Sequence, residues 1–528
     1  MDTIFKIEPN LKIFQLPDIK ERTRINVRYP LMAPYAYAHI YWDENQNELI
    51  YSLEQPKLSE SEVEILRLIM LALEEMINIS IVKTEKAAQI IQYLEKNVQS
   101  ILVELGTKVS KETYLKLMYY IFRDSVGLNQ IEPLLNDYYI EDIECNGLNS
   151  PLYVVHRKYE NLRSNVIFTD IQELTDFVEK LAQKCGRYVS YAKPLLDGTL
   201  PDGSRVNATY SEDVTTKGPT FTIRKFTKDP WTPIHMINFK TTSPIVVAYI
   251  WMAIEHKFNM MVVGETASGK TTFLNAVLSF IPPDARVVSI EDTRELNLNH
   301  DNWMPTVTRS GFGIPNLMGK EYGEITLFDL LRESFRQAPD YVIVGEIRGK
   351  EAYVLFQGMA SGHSSFGTFH AGSVPTLVRR LQTPPISLSA SLIESLDVVC
   401  VMTHLKESQR NIRRMKELVE IQSVTEKGLS FNIPFEWNPI NDKVEQKRSL
   451  YLLTKISKRS GKQIPELERE LQVRTILLQA MANRKIEDFK EVNDIIKAYY
   501  LNSKKVLSEF GITWLILIQL KIWKNLKF

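Results

Sequence analysis

The chain has 528 residues, 44% hydrophobic and 24% charged, and its 64 lysines and arginines equal its 64 aspartates and glutamates. That length exceeds a single core and predicts three or four domains, while the balanced charge excludes a global field that would hold nucleic acid. Three cysteines, Cys145, Cys185 and Cys400, stand far apart without C-x-x-C spacing, which excludes a disulfide framework or zinc ribbon and fits a reducing cytoplasm.

The opening "MDTIFKIEPNLKIF" lacks the apolar core of a signal peptide, and nowhere do 18 uncharged apolar residues run together, so no membrane span is expected. Residues 1–110 read as a mixed α+β region: strand-like pieces punctuated by proline ("YPLMAPYAYAHIYW"), then a helix opened by the capping box Ser59-x-x-Glu62. Residues 111–228 start helical and pass into short strands among Asn and Gly turns, "DYYIEDIECNGLNSPLYVVH", predicting a second α+β domain. The run Asp229-Pro230-Trp231-Thr232-Pro233 marks 229–242 as a linker, and a helical pattern follows from Ser243 to Ile254.

Between 243 and 420 the apolar runs Asn259 to Val263, Ala285 to Ile290 and Tyr341 to Val344 predict buried strands of a parallel sheet with helices on both faces, an α/β class. Residues 421–528 carry a Gly-turn hairpin pattern, "EKGLSFNIPFEW", and then helices rich in Lys, Arg and Glu. Their apolar end, Ile512 to Leu520, is followed by Lys521, Lys524 and Lys527. It reads as a buried helix or partner contact, with interfacial membrane binding as the alternative. The basic stretches Lys20 to Arg28 and Lys455 to Lys462 read as solvated faces that can also meet acidic partners or an anionic bilayer.

The octet Gly264-Glu265-Thr266-Ala267-Ser268-Gly269-Lys270-Thr271 fits G-x-x-x-x-G-K-[ST] and follows the apolar run Met260-Met261-Val262-Val263. A chain of this length would hold it only about 0.02 times by chance. Its backbone N–H groups are expected to cradle phosphates, with Lys270 on the outer ones and the Thr271 hydroxyl on Mg²⁺. From Thr272 to Phe280 the sequence puts Phe273, Ala276, Val277 and Phe280 on one helix face, so a helix N-terminus adds its dipole to the same site.

Nucleotide hydrolysis also needs carboxylates for metal and water, and cations for the leaving phosphate. Ile290-Glu291-Asp292 closes one apolar strand and Val344-Gly345-Glu346-Ile347-Arg348 another, and ligands gather at the carboxyl ends of such strands. Spacing leaves open whether Glu291 or Glu346 polarises water. His363 and His370 lie seven apart in "SGHSSFGTFHAGS". No third ligand completes a zinc site, and the pair reads as γ-phosphate sensors or, alternatively, as satisfied core histidines.

In order, "GETASGKTT", "VVSIEDTRE", "RQAPDYVIVGEIRGKEA" and "SGHSSFGTFHAGS" resemble the Walker A, aspartate, Walker B and histidine boxes of the secretion and type IV pilus assembly ATPases. The upstream "DIECNGLNSPLYVVH" and "LPDGSRVNATY…GPTFTIRKF" are similar to that family's N-terminal domain, so the resemblance spans about residues 110–420. It implies a RecA-like P-loop core with a separate α+β domain over the nucleotide and a helical C-terminal appendage. By position it makes Gly264, Thr266, Ala267, Ser268, Gly269, Lys270, Thr271, Thr272 and His363 nucleotide-binding, and Thr271 and Glu346 the Mg²⁺ ligands. Glu291, Glu346, His370, Arg205 and Arg224 take the catalytic roles. Arg presents a fork suited to phosphate oxygens, and bringing it from another domain would couple closure to ATP.

Many bacterial relatives carry a tetracysteine element after the histidine box, and this chain has none, which shifts the resemblance toward archaeal pilus or archaellum motors or type IV secretion. A cytoplasmic homohexamer at the membrane face, working on a polytopic platform protein without nucleic acid, is what the resemblance implies. The rivals are a nucleic-acid motor on the same core, against which the balanced charge argues, and a nucleotide switch without turnover.

Overall fold

The computed structural model describes residues 4–7, 14, 16, 17, 21–76, 87–226, 229–309, 311, 322–407, 410–425 and 428–512. Two compact units divide the chain, Met1–Phe226 and Thr227–Phe528. Of the apolar C-terminal run only Ile512 belongs to the described residues, and Lys20 also lies outside them.

In the first unit nine strands form one sheet: β1 (Asn26–Met32), β2 (Ala36–Asp43), β3 (Glu48–Glu54), β4 (Ile140–Cys145), β5 (Pro151–His156), β6 (Glu160–Ile167), β7 (Leu195–Thr199), β8 (Arg205–Thr209) and β9 (Thr220–Arg224). Their order is β1-β2-β3-β6-β5-β4-β9-β8-β7, antiparallel throughout except where β3 meets β6. Strand β2 illustrates the cause: Ala36, Ala38 and Ile40 are buried and the residues between them are half-buried, the period of two that a one-sided sheet imposes. The division expected at residue 110 does not interrupt this sheet. The β3–β6 pairing joins the front strands to the rest, and one apolar core runs beneath both. Helices Glu60–Met76, Ala87–Glu104, Lys111–Ser125 and Ile171–Lys184 flank the strands. Ser59 and Glu62 form the anticipated reciprocal cap, Ser59 N donating to Glu62 Oε2 at 2.9 Å and Glu62 N to Ser59 Oγ at 3.3 Å.

The second unit is built on β10 (Met260–Gly264), β11 (Val287–Glu291), β12 (Trp303–Val307), β13 (Tyr341–Ile347), β14 (Ser364–His370), β15 (Val398–Glu407), β16 (Arg410–Thr425), β17 (Gly428–Asn438) and β18 (Lys443–Gln446). Their order is β12-β11-β13-β14-β10-β15-β16-β17-β18. The first six run parallel and the last three pair antiparallel. Alternate residues of the parallel strands enter two separate cores, Met260 and Val262 on one face, Met261 and Val263 on the other. Burial on both faces is the reason these strands read as unbroken apolar runs.

Two regions depart from or extend the sequence reading. Within 229–242, expected as a linker, Thr232 caps a helix over Pro233–Asn238, and Ile234, Met236 and Ile237 are buried in the first of those cores. The C-terminal helices Tyr451–Ser460, Ile464–Asn483 and Phe489–Glu509 pack into that same core. Trp251 stacks on Phe280 at 4.8 Å and donates Nε1 to Tyr500 Oη at 2.9 Å. The buried Glu420 of β16 accepts the N–H of Leu452 at 2.8 Å and of Tyr451 at 3.2 Å, capping a helix whose own N-cap residue, Leu450, offers no side-chain oxygen.

Candidate active site at the phosphate loop

Strand β10 ends at Gly264, the loop follows, and the helix Lys270–Val277 begins at its far side with Gly269 as N-cap. Phe273, Ala276 and Val277 are buried beneath the sheet, and Phe280 with them, so the predicted apolar face anchors the helix whose first amides point at the loop. Gly264 is required by crowding: a Cβ there would stand 2.5 Å from Ser268 Oγ and 2.6 Å from Met402 O. Ser268 is wholly buried and donates its hydroxyl to Glu265 O at 2.7 Å, closing the loop on itself. Thr266 and Thr272 are exposed and Thr271 is half-buried.

Lys270 donates Nζ to Glu265 O at 2.8 Å and lies 3.4 Å from His370 Nδ1. Burial lowers its pKa, with Glu346 opposing that trend. His370 ends β14 directly beside Gly264 in the parallel register, and its Nε2 is 2.9 Å from Glu346 Oε1. Glu346 in turn takes Arg348 Nη2. The His370 pKa is lowered by burial and then by Lys270. A neutral ring can accept from Lys270 at Nδ1 while its Nε2 faces Glu346 Oε1, an oxygen that has no hydrogen-bond partner among the described residues. Lys270, His370 and Glu346 therefore form one polar chain across the carboxyl ends of β10, β14 and β13.

Glu291 closes β11 at 2% exposure. Its Oε1 accepts the N–H of Glu295 and of Leu296, each at 2.9 Å, while the buried Oε2 has no hydrogen-bond partner among the described residues. Burial pushes its pKa up to about 7, against the pull of those two amides. The neighbouring strand makes room for it: a Cβ on Gly345 would lie 3.0 Å from Glu291 Cγ. Sequence reading quoted Gly345 without seeing this role, though an isolated glycine inside an apolar strand is the mark of such an approach.

His363 lies apart from the other expected nucleotide-binding residues. It precedes the other end of β14, seven residues and about 23 Å of strand from His370. There its ring packs edge-on against Phe335 at 4.9 Å. A strand carries its two ends to opposite edges of the sheet, so His363 does not share the phosphate loop's edge. A contact that sequence reading missed altogether is Arg413 of β16, whose Nε donates to Ala267 O at 2.9 Å; only a pair of consecutive arginines marks it in the sequence.

In the first unit, Arg205 of β8 and Arg224 of β9 stand directly opposite one another in the antiparallel register. Arg205 Nη2 lies 3.2 Å from Asp197 and Arg224 Nε 3.2 Å from Asp142, and the Arg224 side chain is 64% exposed. Two like charges at paired positions repel, and the carboxylates offset this.

Oxygen donors fit Mg²⁺, which takes few protein ligands and completes its shell with water and phosphate. The Thr271 hydroxyl and the Glu346 carboxylate are such a pair, and Glu346 is close enough to Lys270 to shift it. Among the described residues no cluster of three or more His, Cys, Asp or Glu could hold a metal by itself. No described helix is long and apolar enough to cross a membrane.

Comparison with known proteins is consistent with this geometry. Residues 124–430 match the family "Type II/IV secretion system protein". The chain is 40% identical over 399 residues to "Uncharacterized protein MJ0900" of Methanocaldococcus jannaschii, covering 74% of this chain and 71% of that one. It is 27% identical over 326 residues to "Type IV secretion system protein PtlH" of Bordetella pertussis, covering 55% and 93%. Among solved structures it is similar to the VirB11 ATPase of the Brucella suis type IV secretion system, at 24% identity over 55% of this chain and 95% of that one, with a TM-score of 0.28. With more than half its length matched and a phosphate loop, two strand-end glutamates and a histidine on one sheet edge, the chain belongs to the type II/IV secretion system protein family.

Proposed function

We propose that the protein is a motor that hydrolyses Mg-ATP and spends the energy on domain motion against a polytopic membrane platform protein, driving assembly of a pilin-like filament or secretion. The observation that carries this reading is the polar chain from Lys270 through His370 to Glu346 at the mouth of the phosphate loop. Loop amides and the helix N-terminus hold the phosphates, and Lys270 leaves the Glu265 carbonyl for the terminal ones. His370, neutral and donating from Nε2, reads the γ-phosphate. Glu291 polarises the attacking water: each glutamate keeps one oxygen without a hydrogen-bond partner among the described residues, but burial brings Glu291 near neutrality, whereas Glu346 carries the Arg348 guanidinium. The water's oxygen bonds to the γ-phosphorus as the bond to the ADP oxygen breaks, and its proton passes to Glu291.

Thr271 and Glu346 would hold Mg²⁺, which when bound neutralises charge on the β- and γ-phosphate oxygens. The side-by-side pair Arg205 and Arg224 supports a phosphate-reading role, because phosphate oxygens can replace Asp197 and Asp142 as partners of two adjacent guanidiniums. The working form in this reading is a homohexamer at the cytoplasmic face of the membrane; an archaellum motor is the alternative machine for the same chemistry. Phosphate release from Mg-ATP, followed with and without vesicles carrying the platform protein, tests the reading. Turnover that rises with the platform present is expected, and no turnover in either state refutes it. Light scattering with a nonhydrolysable nucleotide is expected to give six copies, and a persistent monomer would remove the hexamer.

A further inference from the structure

Arg413 belongs to none of the four motif boxes, yet it touches the phosphate loop. Strands β15 and β16 run past the end of β10: Gly264 pairs with Met402, Met402 with Met415, and His404 with Arg413 two residues further out. The adjoining Arg414 is locked by a two-pronged bond to Asp442 at 2.7 and 3.0 Å and a third to Phe239 O at 3.1 Å. Neighbouring side chains on a strand point to opposite faces, so the Arg414 anchor turns Arg413 toward the loop. Its Nε donates to Ala267 O at 2.9 Å, and its Cδ runs 3.4 Å from where a Cβ on Gly269 would lie.

The loop at that point needs holding. Ala267 has φ +60° and Gly269 φ +84°; glycine takes such a value freely, but a residue with a Cβ takes it only under constraint. The Ala267 carbonyl and the Ser268 N–H share one peptide plane and point opposite ways. Fixing the oxygen outward therefore restrains that N–H from the other side of the peptide plane, while in this structure it donates to Glu265 O at 3.3 Å, the carbonyl that also takes the Ser268 hydroxyl and Lys270 Nζ and must release them to phosphate.

We propose that Arg413 is a positioning residue for nucleotide: through the Ala267 carbonyl it sets the anion-binding curl of the phosphate loop before nucleotide arrives, and so raises affinity for ATP and ADP alike. This rests on the reading of the loop as the nucleotide site. Preorganisation of this kind acts on binding in ground and transition states together, leaving turnover at saturation nearly unchanged.

Gln carries its amide nitrogen at the same chain position as the arginine Nε, so Arg413→Gln keeps the bond and removes the charge. Arg413→Met matches the glutamine in length, ending at the Nε position, and removes both. Calorimetric titration of the full chain with Mg-ADP and with a nonhydrolysable Mg-ATP analogue is expected to show R413M about tenfold weaker for both, R413Q within about threefold of the parent, and saturated turnover within about threefold in each. A methionine variant that binds as tightly as the parent overturns the proposal. So does a glutamine variant as weak as the methionine one, since the charge rather than the bond would then be acting. If R413M fails to fold, Arg413→Lys decides: it keeps the charge but puts its donor one atom too far, so tight R413Q with weak R413K supports the proposal and the reverse overturns it. A parent protein that binds neither nucleotide removes the nucleotide site itself, a different failure from a parent that binds and a methionine variant that binds equally.

Discussion

The two units each build a nine-stranded sheet and hold the groups proposed to meet phosphate in opposite ways. In the second unit the groups sit where parallel strands end, and the first of them are backbone amides at a helix N-terminus. In the first unit they are two guanidiniums on the face of an antiparallel ladder, Arg205 across from Arg224, already held by Asp197 and Asp142. A site made of strand ends is rigid, because its position is set by a core buried on both faces. A site made of exposed side chains is available to exchange partners. On the proposed reading, the chemistry belongs to the second unit and an adjustable role to the first.

The sharpest way to break that contrast is Lys270→Ala. Loss of the cation on the transferring phosphate is expected to lower phosphate release about a thousandfold, and appreciable turnover in the folded variant would remove the strand-end site from catalysis. Next comes Glu291→Gln, expected to cost about a hundredfold or more. Because burial raises this carboxyl to about pH 7, its proton-accepting form is scarce below that pH. Parent turnover should therefore climb roughly tenfold per pH unit up to about 7 and level off above it. The glutamine variant should lack this limb; a limb that persists assigns it to another group.

Smaller effects are expected from the first unit. Arg205→Ala and Arg224→Ala should each lower turnover about tenfold. The double variant should cost less than the product of the two, since the paired arginines share one environment. Strict additivity would show that they act apart, and unchanged kinetics that they are surface residues. The smallest effect belongs to His363→Ala, expected to leave saturated turnover within about threefold because the residue lies at the other edge of the sheet. A hundredfold loss there would overturn the assignment of the site to one edge.

Much of the site was legible beforehand because its parts are contiguous in sequence. The loop, Lys270, Thr271 and the helix behind them occupy one short stretch, and Glu291 and Glu346 close apolar runs whose ends can be read directly. The separation of His363 from His370 was hidden for the complementary reason: seven residues look close in a small-residue loop, but they form a strand, and extended chain carries its ends apart. The helix in 229–242 was hidden because prolines that punctuate linkers also open helices, as Pro233 does after Thr232.

By itself the sequence determined the class of the second unit, the order of its chemical boxes and the apolar face of the phosphate-loop helix, since periodicity and local motifs are properties of short segments. Tertiary structure alone decided which histidine meets Lys270, that Arg205 and Arg224 are neighbours, that Gly345 opens space for Glu291, and that Arg413 reaches Ala267. Each of these depends on strand register between segments far apart in the chain, and register follows from how whole faces pack rather than from any local pattern.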